Sequence, residues 1–325
     1  MRTALVLALA LWLPAAAAAF DLQGHRGARG LAPENTLAGF ATALRLGVST
    51  LELDVVVTAD DIVVVSHDRQ LNAALTRGPD GKWLAEDGPS IRSLTADRLA
   101  AYDIGRIDPA SRYAQRLPEQ VPVDGQRLPW LIEVFAFVAR TGNDSVRFNI
   151  ETKLSPLAPD ESVDPERFAE LLVETVREAG MAHRVAIQSF DWRTLRAANR
   201  LAPAIPTSCL TVAQSWLDNL RRGQPGPSPW TAGLDVEEAL SLPHLARAAG
   251  CRLWSPYYKE VDAMSVKTAH RLGLAVVPWT VNQPQEMAAQ IAMGVDGLIT
   301  DYPDRLRKVL AAHGIELPAA TPVEP

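Results

Sequence analysis

Residues 165–190 read PERFAELLVETVREAGMAHRVAIQSF. Pro165–Ala179 is an amphipathic stretch, Gly180 stands where a helix C-cap is expected, and Val185–Ser189 is a strand-like apolar segment. The same phrase recurs along the chain. Further strand candidates are Phe20–Gly24, Thr50–Val57, Val146–Glu151, Ala204–Leu210, Cys251–Trp254, Leu274–Trp279 and Gly297–Ile299. Amphipathic stretches lie between them at Thr36–Leu46, Trp130–Arg140, Arg193–Leu201, Pro243–Ala249, Ala263–Leu272 and Gln285–Met293, and Gly47, Gly250, Gly273 and Gly294 close several. Repetition of helix, glycine, strand predicts βα units with a parallel sheet. Eight strand candidates favour a closed (β/α)₈ TIM barrel over an open doubly wound sheet, and no GxGxxG or GxxxxGK[ST] phosphate loop is present.

One interval breaks the rhythm. Residues 69–129 are rich in Gly, Pro and charge, with one short amphipathic piece, Thr95–Tyr102. A structureless loop of that length is uncommon inside a compact domain. It reads as a small insertion after strand 2, on the face where barrel active sites sit. Gly223–Gly233 is expected to be a second rim loop. The barrel domain is placed at 20–317, with residues 318–325 as a disordered tail.

The chain has 325 residues, a formal net charge of −6 and 47% hydrophobic residues. Mean hydropathy is −0.01, which excludes global disorder and a multi-span membrane protein. A mildly acidic surface argues against nucleic acid as a partner, yet one cationic pocket or a metal still admits a small phosphorylated substrate. Met1–Ala19 has the layout of a secretory signal: Arg2, an apolar run Ala4–Leu13, Pro14, then Ala15–Ala19. Cleavage after Ala19 and export to the periplasm or medium are expected. The alternative, an uncleaved anchor, needs ~20 apolar residues, more than this run supplies. Cys209 and Cys251 permit one disulfide, and their spacing leaves open whether they pair.

The chemistry-bearing residues fall at strand ends. His25-Arg26-Gly27 follows strand 1. In Leu51-Glu52-Leu53-Asp54-Val55 the two acids alternate with apolar residues and share one face. Burying both is costly unless a cation neutralises them, and oxygen ligands suit Ca²⁺ or Mg²⁺. Val63–Val65 leads to Ser66-His67-Asp68, and strand 3 ends in Ile150-Glu151-Thr152-Lys153. Glu151 can complete a three-carboxylate metal site, and Lys153 can hold a phosphate oxygen beside it. Two imidazoles can serve as general base and acid near neutral pH. Metal-assisted attack at phosphorus is the chemistry suggested, although these residues alone do not name phosphorus as the target.

Laid end to end, the segments resemble the glycerophosphodiester phosphodiesterase family. The likeness rests on His25-Arg26-Gly27, Pro33-Glu34-Asn35-Thr36, Glu52-Leu53-Asp54-Val55, His67-Asp68, Ile150-Glu151-Thr152-Lys153, Gln188-Ser189-Phe190, Trp279-Thr280-Val281-Asn282 and Gly297–Pro303, in the family's order. It implies a barrel with an insertion after strand 2, and one Ca²⁺ or Mg²⁺ on Glu52, Asp54 and Glu151. It implies His25 and His67 as the acid/base pair and Arg26 and Lys153 on the phosphate. Trp279 would pack against the glycerol part or belong to the barrel rim. Gln188 would stand beside the substrate or behind the residues that touch it. The expected reaction converts a glycerophosphodiester, by way of a cyclic phosphate, to glycerol 3-phosphate and an alcohol. Trp130 and Ile132 depart from the small or polar residues usual there. Two other readings are an enzyme that stops at the cyclic phosphate or acts on lysophospholipids, in the manner of a phospholipase D, and a catalytically silent binding barrel.

Overall fold

The computed structural model describes residues 19–323. The expected signal segment therefore lies, all but Ala19, outside the described residues. Among these, eight parallel strands form the barrel: β1 (Asp21–Gly24), β2 (Thr50–Val57), β3 (Arg147–Thr152), β4 (Val185–Ser189), β5 (Thr207–Thr211), β6 (Leu253–Pro256), β7 (Ala275–Val276) and β8 (Gly297–Thr300). They pair in sequence order from β1 to β7, and β8 pairs back onto β1. The remaining seam, β7 to β8, is closed by separate backbone hydrogen bonds. Asp296 N donates to Val276 O at 2.9 Å, Ile299 N to Pro278 O at 3.0 Å and Val281 N to Ile299 O at 3.0 Å. Strand 7 is shorter than the Leu274–Trp279 expected, because Pro278 has no N–H for a ladder.

Helices cover the outside, and glycine ends most of them. Gly47, Gly180, Gly250, Gly273 and Gly294 all have positive φ, the left-handed turn that releases the chain toward the next strand. The helix Pro165–Glu178 begins on Asp164, whose side chain accepts from the backbone N–H of Glu166 and Arg167. An eighth helix, Pro303–Ala312, was not among those expected. Its marks are Pro303 at the first turn, Asp304 beside it, and Leu306 and Leu310 buried at i, i+4 spacing.

Strand β2 shows why the site forms where it does. Leu51, Leu53 and Val55 are fully buried in the main core, which includes Phe40, Leu44 and Phe148. Strand alternation then turns Glu52 and Asp54 to the opposite, inner face, where each is 1% exposed. After β2 the chain doubles back as Val63–Val65, antiparallel to Val55–Val57. The insertion that follows has its own small core of Val56, Val64, Leu71, Ile91, Leu94, Leu99 and Leu128. Trp130 packs against this core.

Residues 318–323 differ from the expected disorder. They lie across the barrel's outer helices: Arg307 Nη1 donates to Pro318 O at 2.7 Å, Asn143 Nδ2 to Thr321 Oγ1 at 2.6 Å, and Thr321 N to Leu44 O at 2.9 Å. The tail's run of Pro and Ala carries no periodic signal for the partners it finds there. No helix among the described residues is long and apolar enough to cross a membrane.

Candidate active site

The C-terminal ends of the strands open into a cavity of about 790 Å³. His25, Arg26, Glu52, His67, Glu151, Lys153, Gln188 and Trp279 line it, and Asp54 lies just beneath, 3.2 Å from Arg26 Nε. All nine residues singled out from the sequence thus converge.

Register assembles the carboxylates. Asp54 stands beside Glu151, and Glu151 beside Gln188, on three adjacent strands. Glu52, Asp54 and Glu151 each offer an oxygen within 4.8 Å of the others, and all three are buried. Burial, with Asp54 adding to it, raises the Glu52 carboxyl well above the usual range. Burial likewise pushes Glu151 up to about 7, against the pull of Lys153. For Asp54, burial is outweighed by Arg26 and Lys153, which hold it below the usual range. Three acids crowded in low dielectric, with Asp54 Oδ1 buried and lacking a hydrogen-bond partner, fit a divalent cation on chemical grounds.

The cations are engaged with these acids. Lys153 Nζ is 2.7 Å from Glu151 Oε1 and 3.7 Å from Asp54 Oδ1. Arg26 donates through Nη1 to Glu34 Oε1 at 2.6 Å and through its backbone N–H to Glu52 Oε2 at 2.8 Å. Its φ of +49° is rare for a residue with a side chain. The turn around it is tight: a Cβ at Gly24 would meet Gly27 O at 2.1 Å, and one at Gly27 would meet Gly39 C at 2.7 Å. Strain of this kind concentrates at functional sites.

Both imidazoles are oriented by carboxylates. His25 Nδ1 is 2.5 Å from Asp301 Oδ1, and His67 Nδ1 is 2.8 Å from Asp68 Oδ1. An ionised carboxylate only accepts, so Nδ1 carries the proton in each. Burial lowers the His25 pKa, with Asp301 opposing it. Burial lowers that of His67 further, aided by the charges of Arg26 and Lys153. Gln188 stands behind the carboxylate cluster: its Nε2 donates to Glu52 Oε1 at 2.8 Å, and its Oε1 accepts from Asn149 Nδ2 at 2.9 Å.

Several residues join the site without having been assigned roles from sequence. Asp301 follows strand 8 directly, and the rule that barrel sites sit at strand C-termini would have found it. Glu34 and Asn35 lie in a quoted motif; Asn35 Nδ2 donates to Asp54 Oδ2 at 2.9 Å. Tyr113 had no sequence signal. It reaches in from the insertion, its hydroxyl donating to Glu34 Oε2 and accepting from Arg29 Nη1 at 3.3 Å. Burial and Glu34 raise its pKa.

The sequence matches the glycerophosphoryl diester phosphodiesterase family over residues 25–305. The chain belongs to that family. It is accordingly an enzyme that acts on phosphodiesters, built on the family's TIM barrel. A glycerophosphodiester phosphodiesterase of Caldanaerobacter subterraneus subsp. tengcongensis is 28% identical over 290 residues, spanning 89% of this chain and 97% of that protein. A crystal structure of a candidate glycerophosphoryl diester phosphodiesterase from Silicibacter pomeroyi is 35% identical, covers 92% of this chain and 95% of its own, and has a TM-score of 0.81. An Oleispira antarctica phosphodiesterase, solved with the product sn-glycerol-3-phosphate, shares the fold at 23% identity and a TM-score of 0.64, covering 90% of this chain and 96% of its own.

Proposed function

We propose that the chain hydrolyses glycerophosphodiesters to glycerol 3-phosphate and an alcohol, with Glu52, Asp54 and Glu151 holding one Ca²⁺ or Mg²⁺ and His25 and His67 moving the protons. The observation that carries this reading is the convergence of two carboxylate-oriented imidazoles on a buried three-carboxylate cluster within one cavity. A bound divalent ion would polarise the phosphoryl oxygens and offset their charge.

The chain's own residues supply the rest. Neutral imidazoles, favoured by burial, can accept a proton at Nε2 while Asp301 and Asp68 hold Nδ1. One imidazole takes the proton of the glycerol 2-hydroxyl as its oxygen bonds to phosphorus. The ester bond to the leaving alcohol breaks, and the other imidazole protonates that oxygen. Water then adds to the cyclic phosphate with the roles reversed, opening it to glycerol 3-phosphate. Lys153 and Arg26 line the same cavity, which supports assigning them to the phosphoryl oxygens.

The test is turnover of glycerophosphocholine by the purified protein with Mg²⁺ or Ca²⁺, followed by phosphorus NMR. Glycerol 3-phosphate should accumulate, and His25→Ala and His67→Ala should each lower kcat by ~10²–10⁴-fold. A cyclic phosphate as end product would favour the enzyme that stops there; no turnover at all would favour a binding barrel. Turnover unaffected by EDTA would remove the metal.

We also propose that the protein works outside the reducing cytosol. The signal-like Met1–Ala19 supports this, as does the pairing of Cys209 with Cys251. A mature N-terminus at Phe20 by mass spectrometry is the expected result; retained Met1 would overturn it.

A further inference from the structure

We propose that the cavity mouth carries a subsite for a quaternary ammonium group on the leaving alcohol, formed by Trp216, Tyr257 and Trp279. The inference rests on the phosphodiesterase reading and names the substrate class. A line of aromatic rings leads outward from the carboxylate cluster. Lys153 Nζ lies 5.9 Å from the Phe190 ring centroid, and Phe190 meets Trp279 at 5.3 Å. Trp279 meets Tyr257 at 5.6 Å and Trp216 at 6.1 Å, and Trp216 meets Tyr257 at 5.6 Å. The three outer rings therefore touch one another, and Trp216 stands 83° to each of the other two. Phe190, Trp216 and Trp279 line the same cavity as the two histidines.

These rings are held in place before any ligand arrives. Trp279 Nε1 donates to Ser255 O at 2.9 Å, so its indole N–H is engaged and its π-face is what remains. Its backbone is fixed on both sides, by Trp279 N to Pro256 O at 3.1 Å and Tyr258 N to Trp279 O at 2.9 Å. Trp216 sits at the tip of a hairpin, Ala213–Gln214 with Leu217–Asp218, and is 58% exposed. Glu260 clamps the hairpin's base, accepting from Ala213 N at 3.0 Å and Gln214 Nε2 at 2.6 Å.

The rings lack an internal cation. Elsewhere aromatic faces are met from within, as Tyr302 is by Arg305 at 3.7 Å and Tyr258 by Lys259 at 5.5 Å. Among the described residues no lysine or arginine stacks on Trp216, Tyr257 or Trp279. A quaternary ammonium makes no hydrogen bonds and is attracted by aromatic faces. It matches an aromatic wall on which the Trp279 indole N–H is already engaged and no internal cation stacks. A choline ester would place its phosphate at the Lys153 end and its cation toward the mouth.

The experiment compares kcat/KM for glycerophosphocholine, its neutral isostere with a 3,3-dimethylbutyl group, and glycerophosphoglycerol. The wild type should prefer the cation over the isostere by about tenfold. Trp216→Ala should bring that ratio near one, and Trp216→Phe should keep most of it. Trp216 is at a hairpin tip, and a second variant, Tyr257→Leu, removes the ring that packs against both Trp216 and Trp279 and should also lower the ratio. Equal rates on cation and isostere in the wild type would overturn the subsite and mark an apolar surface instead. So would a Trp216→Ala enzyme that loses both substrates equally. Failure to hydrolyse any of the three with metal present would overturn the phosphodiesterase reading, and the subsite with it; turnover of all three without cation preference overturns the subsite alone.

Discussion

The His25 imidazole and the Asp301 carboxylate, 276 positions apart in the chain, meet at 2.5 Å across the β8–β1 seam. Asp301 is itself fixed by Arg29, at 2.9 and 3.0 Å, and by Asn282 Nδ2 at 2.7 Å. Burial would raise its pKa, but Arg29 and His25 outweigh burial and keep it ionised. It therefore pins the His25 proton on Nδ1 and leaves Nε2, 4.0 Å from Glu52 Oε2, for the cavity. Asp301→Asn should lower kcat by roughly 10²-fold or more, with KM little changed, because an amide can favour the wrong tautomer. Asp301→Glu should restore part of the loss. A kcat within threefold of wild type would remove Asp301 as the positioning residue.

Gln188 offers a test of the metal site that does not touch substrate. It and the Arg26 backbone N–H hold the two oxygens of Glu52 from opposite sides. Outer partners of this kind orient a ligand, and their loss commonly weakens metal binding by about 10–100-fold. Gln188→Ala should therefore raise the Mg²⁺ or Ca²⁺ Kd by that factor in calorimetry. Saturating metal should restore much of the rate. Unchanged metal affinity would place Glu52 outside the metal site.

The barrel was legible because its signals are local. Each glycine cap and each apolar run, such as Gly180 before Val185–Ser189, carries its own evidence. The inner-facing acids were legible for the same reason: alternation in Leu51–Val55 dictates their face. What was not legible depends on contacts between distant segments. Tyr113 comes from an insertion without periodicity, and only packing brings its hydroxyl to Glu34. The ring cluster draws Trp216, Tyr257 and Trp279 from three separate segments, so no local pattern marks it. The docking of residues 318–323 depends on Asn143 and Arg307, chosen by the fold rather than by the tail's composition.

Asp61 links three parts of the fold and should leave a pH signature. In the turn between β2 and Val63–Val65, it pairs with Arg167 at 3.0 Å and Arg92 at 2.9 Å. The Arg167 hydrogen bond, with Arg92 beside it, holds its carboxyl below the usual range. A depressed folded-state pKa contributes stability above the unfolded value of ~3.9, and that contribution is lost as pH falls through the folded value. The group is partly exposed, so the effect is small. Asp61→Asn should lower Tm by about 1–2 °C at pH 7, and the difference should shrink as pH falls below the unfolded value. A gap that widens on acidification would contradict the assignment.

The disulfide should matter for stability rather than for chemistry. Cys209 on β5 and Cys251 before β6 are bonded with Cα atoms 5.9 Å apart, across a sequence separation of 42. The loop they close contains the Trp216 hairpin and the irregular stretch Gly223–Gly233. Closing such a loop restricts the unfolded chain, a contribution of about 4 kcal/mol on the entropy model. Neither cysteine lines the cavity. The double variant Cys209→Ala/Cys251→Ala should therefore lower the urea midpoint, and the unfolding free energy read from midpoint and slope should fall by an amount approaching that figure. Its kcat/KM at 25 °C should stay close to wild type, since the strands on either side remain paired by four register partners from Ser208↔Leu253 to Thr211↔Pro256. The unreduced protein, unfolded in guanidinium, should show no free thiol, and two after reductant. Two thiols titrating without reductant would show that the bond does not form.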